Sequence, residues 1–190
     1  MTVSLTEIPG YVAGTWTIDP IHSSVEFSVR HLMISKVRGR FSRFEGRLVT
    51  ADDPLRSTVE ATVDLASIDT ANDQRDEHLR SADFFEVSQH PSMTYRSTGI
   101  EQTEDGYVLN GELTLKGVTK QVPLVLEVQG FGADYFLPDP QSGARAGFTA
   151  SGELSRLAFG VGDSSPLAGG GVGLSDKVQI TLEIQAVLTR

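Results

Sequence analysis

Apolar and polar residues alternate along most of the chain with a period of two. The stretch "SSVEFSVRH" places Val25, Phe27 and Val29 on one face and polar residues on the other. This pattern is typical of a β-strand with one buried and one exposed face. The alternation recurs in "KVRGRFSRFEGRLVT", "STVEATVDL", "PSMTYRS", "YVLNGELTLK", "VTKQVPLVLEVQG", "ARAGFTASGEL" and "DKVQITLEIQAVLTR". The chain is therefore predicted to be all-β with eight strands, and "TWTI" is left over for a short ninth.

Short strands separated by turn signals predict an antiparallel meander. One apolar face per strand is compatible with a sandwich or with a closed barrel. Three features favour closure: a change of phase near Ser42 and Arg43 that predicts a bend, glycines on the apolar faces at positions 39, 46, 111 and 152, and a long last strand available to pair with the first. Pro123 is predicted at a bulge or a strand start, because proline cannot donate to a β-ladder.

Two segments depart from the alternation. Asn72 is a suitable cap for a short helix over about residues 72–80, with acidic residues in its first turn and Arg80 in its last. Leu79, Phe84 and Phe85 would supply the apolar contact of this segment. The other exception is a glycine-rich stretch over residues 160–176. Loops of this length are usually functional or poorly ordered.

Composition narrows the classes of partner. The 190 residues fit one domain, predicted over residues 15–190 after an N-terminal tail of residues 1–14. The net charge of −9 would repel nucleic acid, and also anionic membranes across most of the surface. The absence of cysteine removes disulfides and sulfur metal sites. No signal peptide and no run of roughly 18 apolar residues is found, so a cytoplasmic protein without integral membrane association is expected.

Candidate catalytic groups are few. The chain has four histidines, and none forms a helical zinc-protease motif. A site assembled in three dimensions from His22, His31 and His78 stays open, although structural hydrogen bonds are the simpler interpretation. The adjacent Asp76 and Glu77 point about 100 degrees apart on a helix, which does not suit a shared proton. The sequence therefore offers no catalytic motif, and neither a cofactor nor a metal is expected.

Longer motifs resemble those of a known family. "WTIDPIHSSVEFSVRHLMISKVRGRFSRFEG", "IDTANDQRDEHLRSADFFEVSQHPSMTY", "GELTLKGVTKQVPL" and "GFTASGELSRLAFGV" are similar, in this order, to the YceI-like family of lipid-binding proteins. The resemblance implies a single antiparallel, lipocalin-like β-barrel that holds a polyisoprenoid or similar lipid, and it implies no general catalytic activity. It also raises the expectation of a homodimer. Leu157 and Ala158 stand where relatives usually carry an acidic residue, so this part of the site is expected to be more apolar.

The expected ligand is a long-chain amphiphilic lipid, either a polyisoprenoid or an isoprenoid quinone. An eight-stranded barrel can fill itself with side chains or hold one slender ligand. A low aromatic content of 7%, together with glycine and alanine where a filled barrel would need bulk, favours the ligand. The helical segment would then be a lid over a tunnel. The predicted wall and lid residues are Phe27, Val29, Phe41, Leu79, Phe84, Phe85, Met93, Tyr95, Leu113, Leu115, Leu126 and Phe148.

Polar residues at the mouth of this tunnel are predicted to meet a lipid headgroup. The candidates are His31, Arg75 and His78. Two alternatives stay open. The first is an enzyme that acts on a hydrophobic substrate inside the barrel, with His31 or His78 as general acid or base. The second is a structural module whose barrel is filled by its own side chains.

Overall fold

The computed structural model describes residues 8–164 and 173–189. The predicted N-terminal tail and the predicted glycine-rich loop lie partly outside these residues. The strands are β1 Gly14–Ile18, β2 Ser24–His31, β3 Ser35–Phe41, β4 Phe44–Thr50, β5 Thr58–Asp64, β6 Ile68–Asp69, β7 Ser92–Thr103, β8 Gly106–Leu115, β9 Val118–Gln121, β10 Leu124–Ala133, β11 Ala144–Ser155 and β12 Leu174–Thr189. One α-helix, α1, spans Asp73–Arg80.

The strands form a closed, eight-stranded antiparallel barrel. Its ring runs β1-β4-β5-β7-β8-β10-β11-β12 and is closed by pairing of β12 with β1, in which Trp16 lies opposite Leu188. The long β12 uses its first half to pair with β2, where Ile180 lies opposite Phe27. Closure removes the free edges that an open sheet would expose. The predicted eight-stranded barrel with one short helix is confirmed.

Several strands of the barrel are interrupted rather than separate. β1 continues into β2, since both pair with β12, and β3 continues into β4, since these two segments pair with β2 and β1 respectively. The predicted bend at Ser42 and Arg43 falls between β3 and β4, where the Ser42 amide donates to the Ser67 carbonyl. "TWTI" is therefore the first half of a bent strand and not a ninth strand. Pro123 lies in the break between β9 and β10, as predicted for a residue that cannot donate to the ladder.

The core contains a large apolar cluster inside the barrel and a smaller one around the single tryptophan. Trp16 is fully buried among Ala146, Ala186 and partly buried neighbours that include Phe131. Its indole Nε1 donates to Thr50 Oγ1 at 2.7 Å, so the buried N–H has a partner. The indole thus ties β1 to the end of β4.

An ion-pair network holds the outside of the barrel at the break between β1 and β2. Arg145 on β11 lies 2.8 Å from a carboxylate oxygen of Asp19 and 2.8 Å from one of Asp134. The hydrogen bond from Arg145, with a further one from His22, lowers the pKa of Asp19 to about 2. The network therefore joins the β1–β2 break to the loop between β10 and β11. In the described part of the chain no helix is long and apolar enough to cross a membrane.

Candidate functional site

The barrel encloses a cavity of about 280 Å³ that runs between its two ends. Pro54, which follows β4, lies at one end, and Leu174, where β12 begins, lies at the other. Aliphatic and aromatic side chains make up nearly all of the wall. Such a cavity is favourable for an apolar chain, because burial removes apolar surface from water and the wall leaves few polar groups without partners.

All the residues predicted for the wall and the lid line this one cavity. The twelve residues come from several strands and from the helical segment, and the first and last of them are 121 positions apart in the sequence. They are Phe27, Val29, Phe41, Leu79, Phe84, Phe85, Met93, Tyr95, Leu113, Leu115, Leu126 and Phe148. Their contact with a lipid stays a prediction.

Two of the glycines on the apolar faces, Gly39 and Gly111, do not open space in the lumen by themselves. A methyl group added to Gly39 would clash with the ring of Phe27, and one added to Gly111 would clash with the ring of Tyr95. The space above these glycines is occupied by aromatic side chains from the neighbouring strands. The glycines therefore allow the aromatic rings to lie flat against the wall, and the cavity is the space that remains between these rings and the aliphatic side chains.

Helix α1 and the turn after it cover the cavity on one side. Asn72 caps the helix by accepting a hydrogen bond from the Arg75 amide at 2.9 Å. Beyond the helix, the Phe85 ring packs edge-on against Phe41 on β3 with centroids 6.1 Å apart. Phe84 lies against Gly162, where any larger residue would clash with it. The charged residues of α1 are mostly exposed, so the segment has an apolar inner surface and a polar outer one.

The predicted mouth residues do not line the cavity. Arg75 donates from its guanidinium to the hydroxyl and the carbonyl of Thr70, at 2.7 Å in both cases. His78 Nε2 lies 3.0 Å from a carboxylate oxygen of Asp83. His31 is exposed at the end of β2. Arg75 and His78 thus have protein partners, and contact of any of the three with a headgroup stays a prediction.

A buried arginine was not found by the sequence reasoning. Arg156 lines the cavity and is only 4% exposed. Its guanidinium donates to the carbonyl oxygens of Val161, Asp163, Leu174 and Ser175, each at 2.9 Å. Burial lowers the pKa of Arg156, since the charged form is removed from water. The side chain thereby joins the segment after β11 to the start of β12. The sequence feature that could have identified Arg156 is the motif "LSRLAF", in which a cationic residue directly precedes an apolar run.

The N-terminal segment also contributes to the cavity, although it was predicted to be a tail. Ile8 and Tyr11 belong to its wall. The Tyr11 hydroxyl donates to the Ala51 carbonyl at 2.7 Å, and its ring packs edge-on against Phe131 with centroids 5.1 Å apart. These contacts hold the segment that precedes β1 against one end of the barrel. A single tyrosine near the N-terminus carries no periodic pattern, so its role was not visible in the sequence.

A metal site requires several ligating side chains that lie close together. Within residues 8–164 and 173–189, no three His, Asp or Glu side chains are arranged to hold a metal ion, so His22, His31 and His78 do not form a metal site. Tyr95 contributes a largely buried hydroxyl to the wall. Burial raises its pKa to about 12, and its hydroxyl lies 3.2 Å from the Leu109 carbonyl and 3.1 Å from the Val122 carbonyl. This hydroxyl is therefore neutral and occupied by the backbone.

Comparisons with known proteins agree with this architecture. The family model of the YceI-like domain matches residues 16–186. A "UPF0312 protein" of Pseudomonas aeruginosa is 35% identical over 168 residues, which cover 87% of this chain and 82% of the relative.

Two solved structures show the same fold. The YceI protein of Campylobacter jejuni has 26% identity and a TM-score of 0.71, covering 85% of this chain and 90% of that one. A polyisoprenoid binding domain from Saccharophagus degradans, described as implicated in plant cell wall breakdown, has 16% identity and a TM-score of 0.67, covering 94% of this chain and all of that one. The closed barrel, its apolar cavity and the match of the family model over most of the sequence lead to one conclusion: the chain belongs to the YceI-like family.

Proposed function

We propose that this protein binds one long-chain amphiphilic lipid, a polyisoprenoid or an isoprenoid quinone, in the barrel cavity without chemically changing it. The observation that carries the proposal is the continuous apolar cavity, which extends from Pro54 to Leu174. A structural neighbour is described as a polyisoprenoid binding domain, which supports the same ligand class. A role as a carrier or a store of the lipid would follow from such binding.

The energetics of burial support useful affinity. A chain that buries about 400 Å² of apolar surface gains roughly 10 kcal/mol at 25 cal/mol/Å². The loss of translational and rotational freedom on association offsets several of these kcal/mol. With an offset of about 4 kcal/mol, the remainder of about 6 kcal/mol corresponds to a dissociation constant on the order of tens of micromolar. Apolar burial alone is thus sufficient, and the proposal needs no ionic contact with a headgroup.

The enzymatic alternative has less support from the geometry. His31 and His78, its candidate acid and base, lie outside the set of residues that line the cavity. A general base must come within hydrogen-bonding reach of the proton that it removes. A substrate buried in the cavity would therefore have to project its reactive group out towards either imidazole.

Native mass spectrometry of the purified protein, followed by organic extraction and mass spectrometry of the extract, tests the proposal. We expect one long-chain isoprenoid lipid per chain. A protein that is empty as purified should take up added polyprenol or quinone with the same stoichiometry. An empty protein that also rejects both added lipids would contradict the proposal and favour a structural module.

A further inference from the structure

The turn between β2 and β3 exposes three consecutive large apolar side chains. Leu32, Met33 and Ile34 are 42%, 58% and 84% exposed. Leu32 and Met33 have positive φ angles of 51° and 59°, a conformation that is unfavourable for large side chains. Asn or Gly would suit such a turn better and would keep it polar. The turn therefore retains apolar side chains that neither the core nor the local backbone requires.

Basic side chains accompany this turn on the two strands that lead to it. Arg30 lies opposite Lys36 and Ser28 lies opposite Arg38 in the β2–β3 ladder. Arg30, Lys36 and Arg38 are all exposed. Among the described residues none of these three has an ion-pair partner, whereas the next basic residue along, Arg40, is paired with Asp69 at 2.9 Å. The strands β2 and β3 carry a single acidic residue, Glu26, further from the turn.

The charge of this hairpin is opposite to that of the whole protein. The chain has a net charge of −9, so an anionic surface repels most of it. An anionic bilayer would attract only a local basic region, and its approach would orient the molecule with that region foremost. Basic residues beside exposed apolar ones are typical of segments that lie at a membrane interface, since the cations meet the phosphates while the apolar side chains enter the acyl boundary.

The hairpin also adjoins the cavity. His31, next to the turn, lies opposite Leu174, which belongs to the cavity wall. Val29, two residues earlier on β2, is another wall residue. The Leu32 amide donates to the Gly173 carbonyl at 2.9 Å, which fixes the turn to the start of β12. A bilayer that received the turn would therefore lie beside the end of the cavity at which Leu174 lies.

We propose that the β2–β3 hairpin is a docking site for an anionic lipid bilayer, with Leu32, Met33 and Ile34 inserted into the interface and Arg30, Lys36 and Arg38 against the lipid phosphates. The docking does not depend on which molecule occupies the cavity. It would bring the cavity to the bilayer from which a long-chain lipid is taken or to which it is returned.

Flotation of the full chain with vesicles tests the proposal. The two probes are vesicles of phosphatidylcholine alone and vesicles that contain about 30% phosphatidylglycerol. We expect the protein to float with the anionic vesicles and to remain unbound with the neutral ones, and added salt should reverse the binding. Failure to bind the anionic vesicles at low salt would overturn the proposal.

Variants of the hairpin separate its apolar and basic parts. Met33→Asn/Ile34→Ser changes two exposed residues and should weaken vesicle binding about tenfold through lost apolar burial. Its control is Ile21→Ser, a residue that is 85% exposed at the β1–β2 break, and this change should leave binding unaltered. Lys36→Gln/Arg38→Gln should weaken vesicle binding about fivefold for each charge removed. Lys120→Gln on β9 removes a charge outside the hairpin and is the charge control, which should leave binding unaltered.

The outcomes distinguish docking from cavity binding. Hairpin variants should keep the wild-type amount of extractable lipid and at least the wild-type melting temperature, because their changed side chains face solvent and Asn suits the positive φ of residue 33. Equal loss of vesicle binding in the hairpin variants and their controls would show a general charge effect and overturn the proposal. A hairpin variant that changes the oligomeric state of the protein without changing vesicle binding would assign the turn to contacts between copies and would also overturn it.

Discussion

Gly111 shows how one missing side chain shapes the cavity wall. It lies on β8 opposite Ser97 of β7, and the Tyr95 ring lies across the position that its Cβ would occupy. The ring fills part of the lumen, and its hydroxyl reaches the Leu109 carbonyl on β8 and the Val122 carbonyl in the break between β9 and β10. A glycine on an apolar strand face therefore does not imply empty space, since an aromatic neighbour can pack over it.

We predict that Gly111→Ala destabilises the barrel by about 1–3 kcal/mol, because the added methyl forces the Tyr95 ring to move. Urea denaturation followed by circular dichroism measures the change. Gly99→Ala on β7 is the matched control, since no described atom lies within 4 Å of its added methyl. A loss of stability in Gly111→Ala no larger than in Gly99→Ala would contradict the proposed packing.

At the scale of elements, α1 and the turn after it are connected to the barrel by polar as well as apolar contacts. Arg80 donates to the carbonyls of Ala66 and Ile68, both at 2.9 Å. The buried Asp76 accepts hydrogen bonds from the amide and hydroxyl of Thr70. These bonds hold the helix to the segment around β6, so the aromatic residues that follow it can be changed without detaching the helix.

We predict that Phe84→Ala/Phe85→Ala releases bound lipid roughly tenfold faster while the barrel stays folded, because two apolar groups are removed from the covered side of the cavity. The rate is measured by transfer of a loaded polyprenol to acceptor vesicles. Tyr135→Ala/Phe136→Ala removes two aromatic side chains that are 81% and 71% exposed outside the barrel, and it should leave the rate unchanged. Unchanged release from the folded Phe84/Phe85 variant would rule out a lid.

At the scale of the whole molecule, ion pairs connect parts of the chain that are far apart in sequence. Arg145 donates hydrogen bonds to Asp19, 126 positions away in the sequence, and to Asp134, 11 positions away. Its hydrogen bonds lower the pKa of both carboxyl groups. A carboxyl group whose pKa is lower in the folded than in the unfolded state stabilises the fold above its unfolded pKa. This contribution is lost as the pH falls through the folded pKa.

We predict that the contribution of Asp19 is present at pH values above about 4 and disappears as the pH falls towards 2, given its unfolded pKa of 3.8 and folded pKa of about 2. The contribution is on the order of 1 kcal/mol after solvent screening. Urea denaturation of the wild type and Asp19→Asn across this range measures it. The difference between the two proteins should be constant near neutral pH and shrink in acid; a difference that does not change with pH would contradict the assignment.

Much of the fold could be predicted because it depends on local chemistry. Period-two alternation identified the strands, and the phase change at Ser42 and Arg43 located a bend that the structure confirms. Asn72 indicated the start of α1. The inward residues of a barrel are the apolar residues of each strand, so residues such as Phe27 and Leu113 could be assigned to one lumen without knowing the register.

The sequence by itself determined the all-β class, the short capped helix and the apolar faces, because each depends on neighbours within a few positions. Only the tertiary structure decided how these faces are filled. It placed aromatic rings over glycines, held Arg156 by four carbonyls and brought Tyr11 against Phe131. It also showed that Leu32, Met33 and Ile34 face solvent. These features depend on contacts between residues far apart in the chain, and whether an apolar side chain is buried is settled only when the barrel closes.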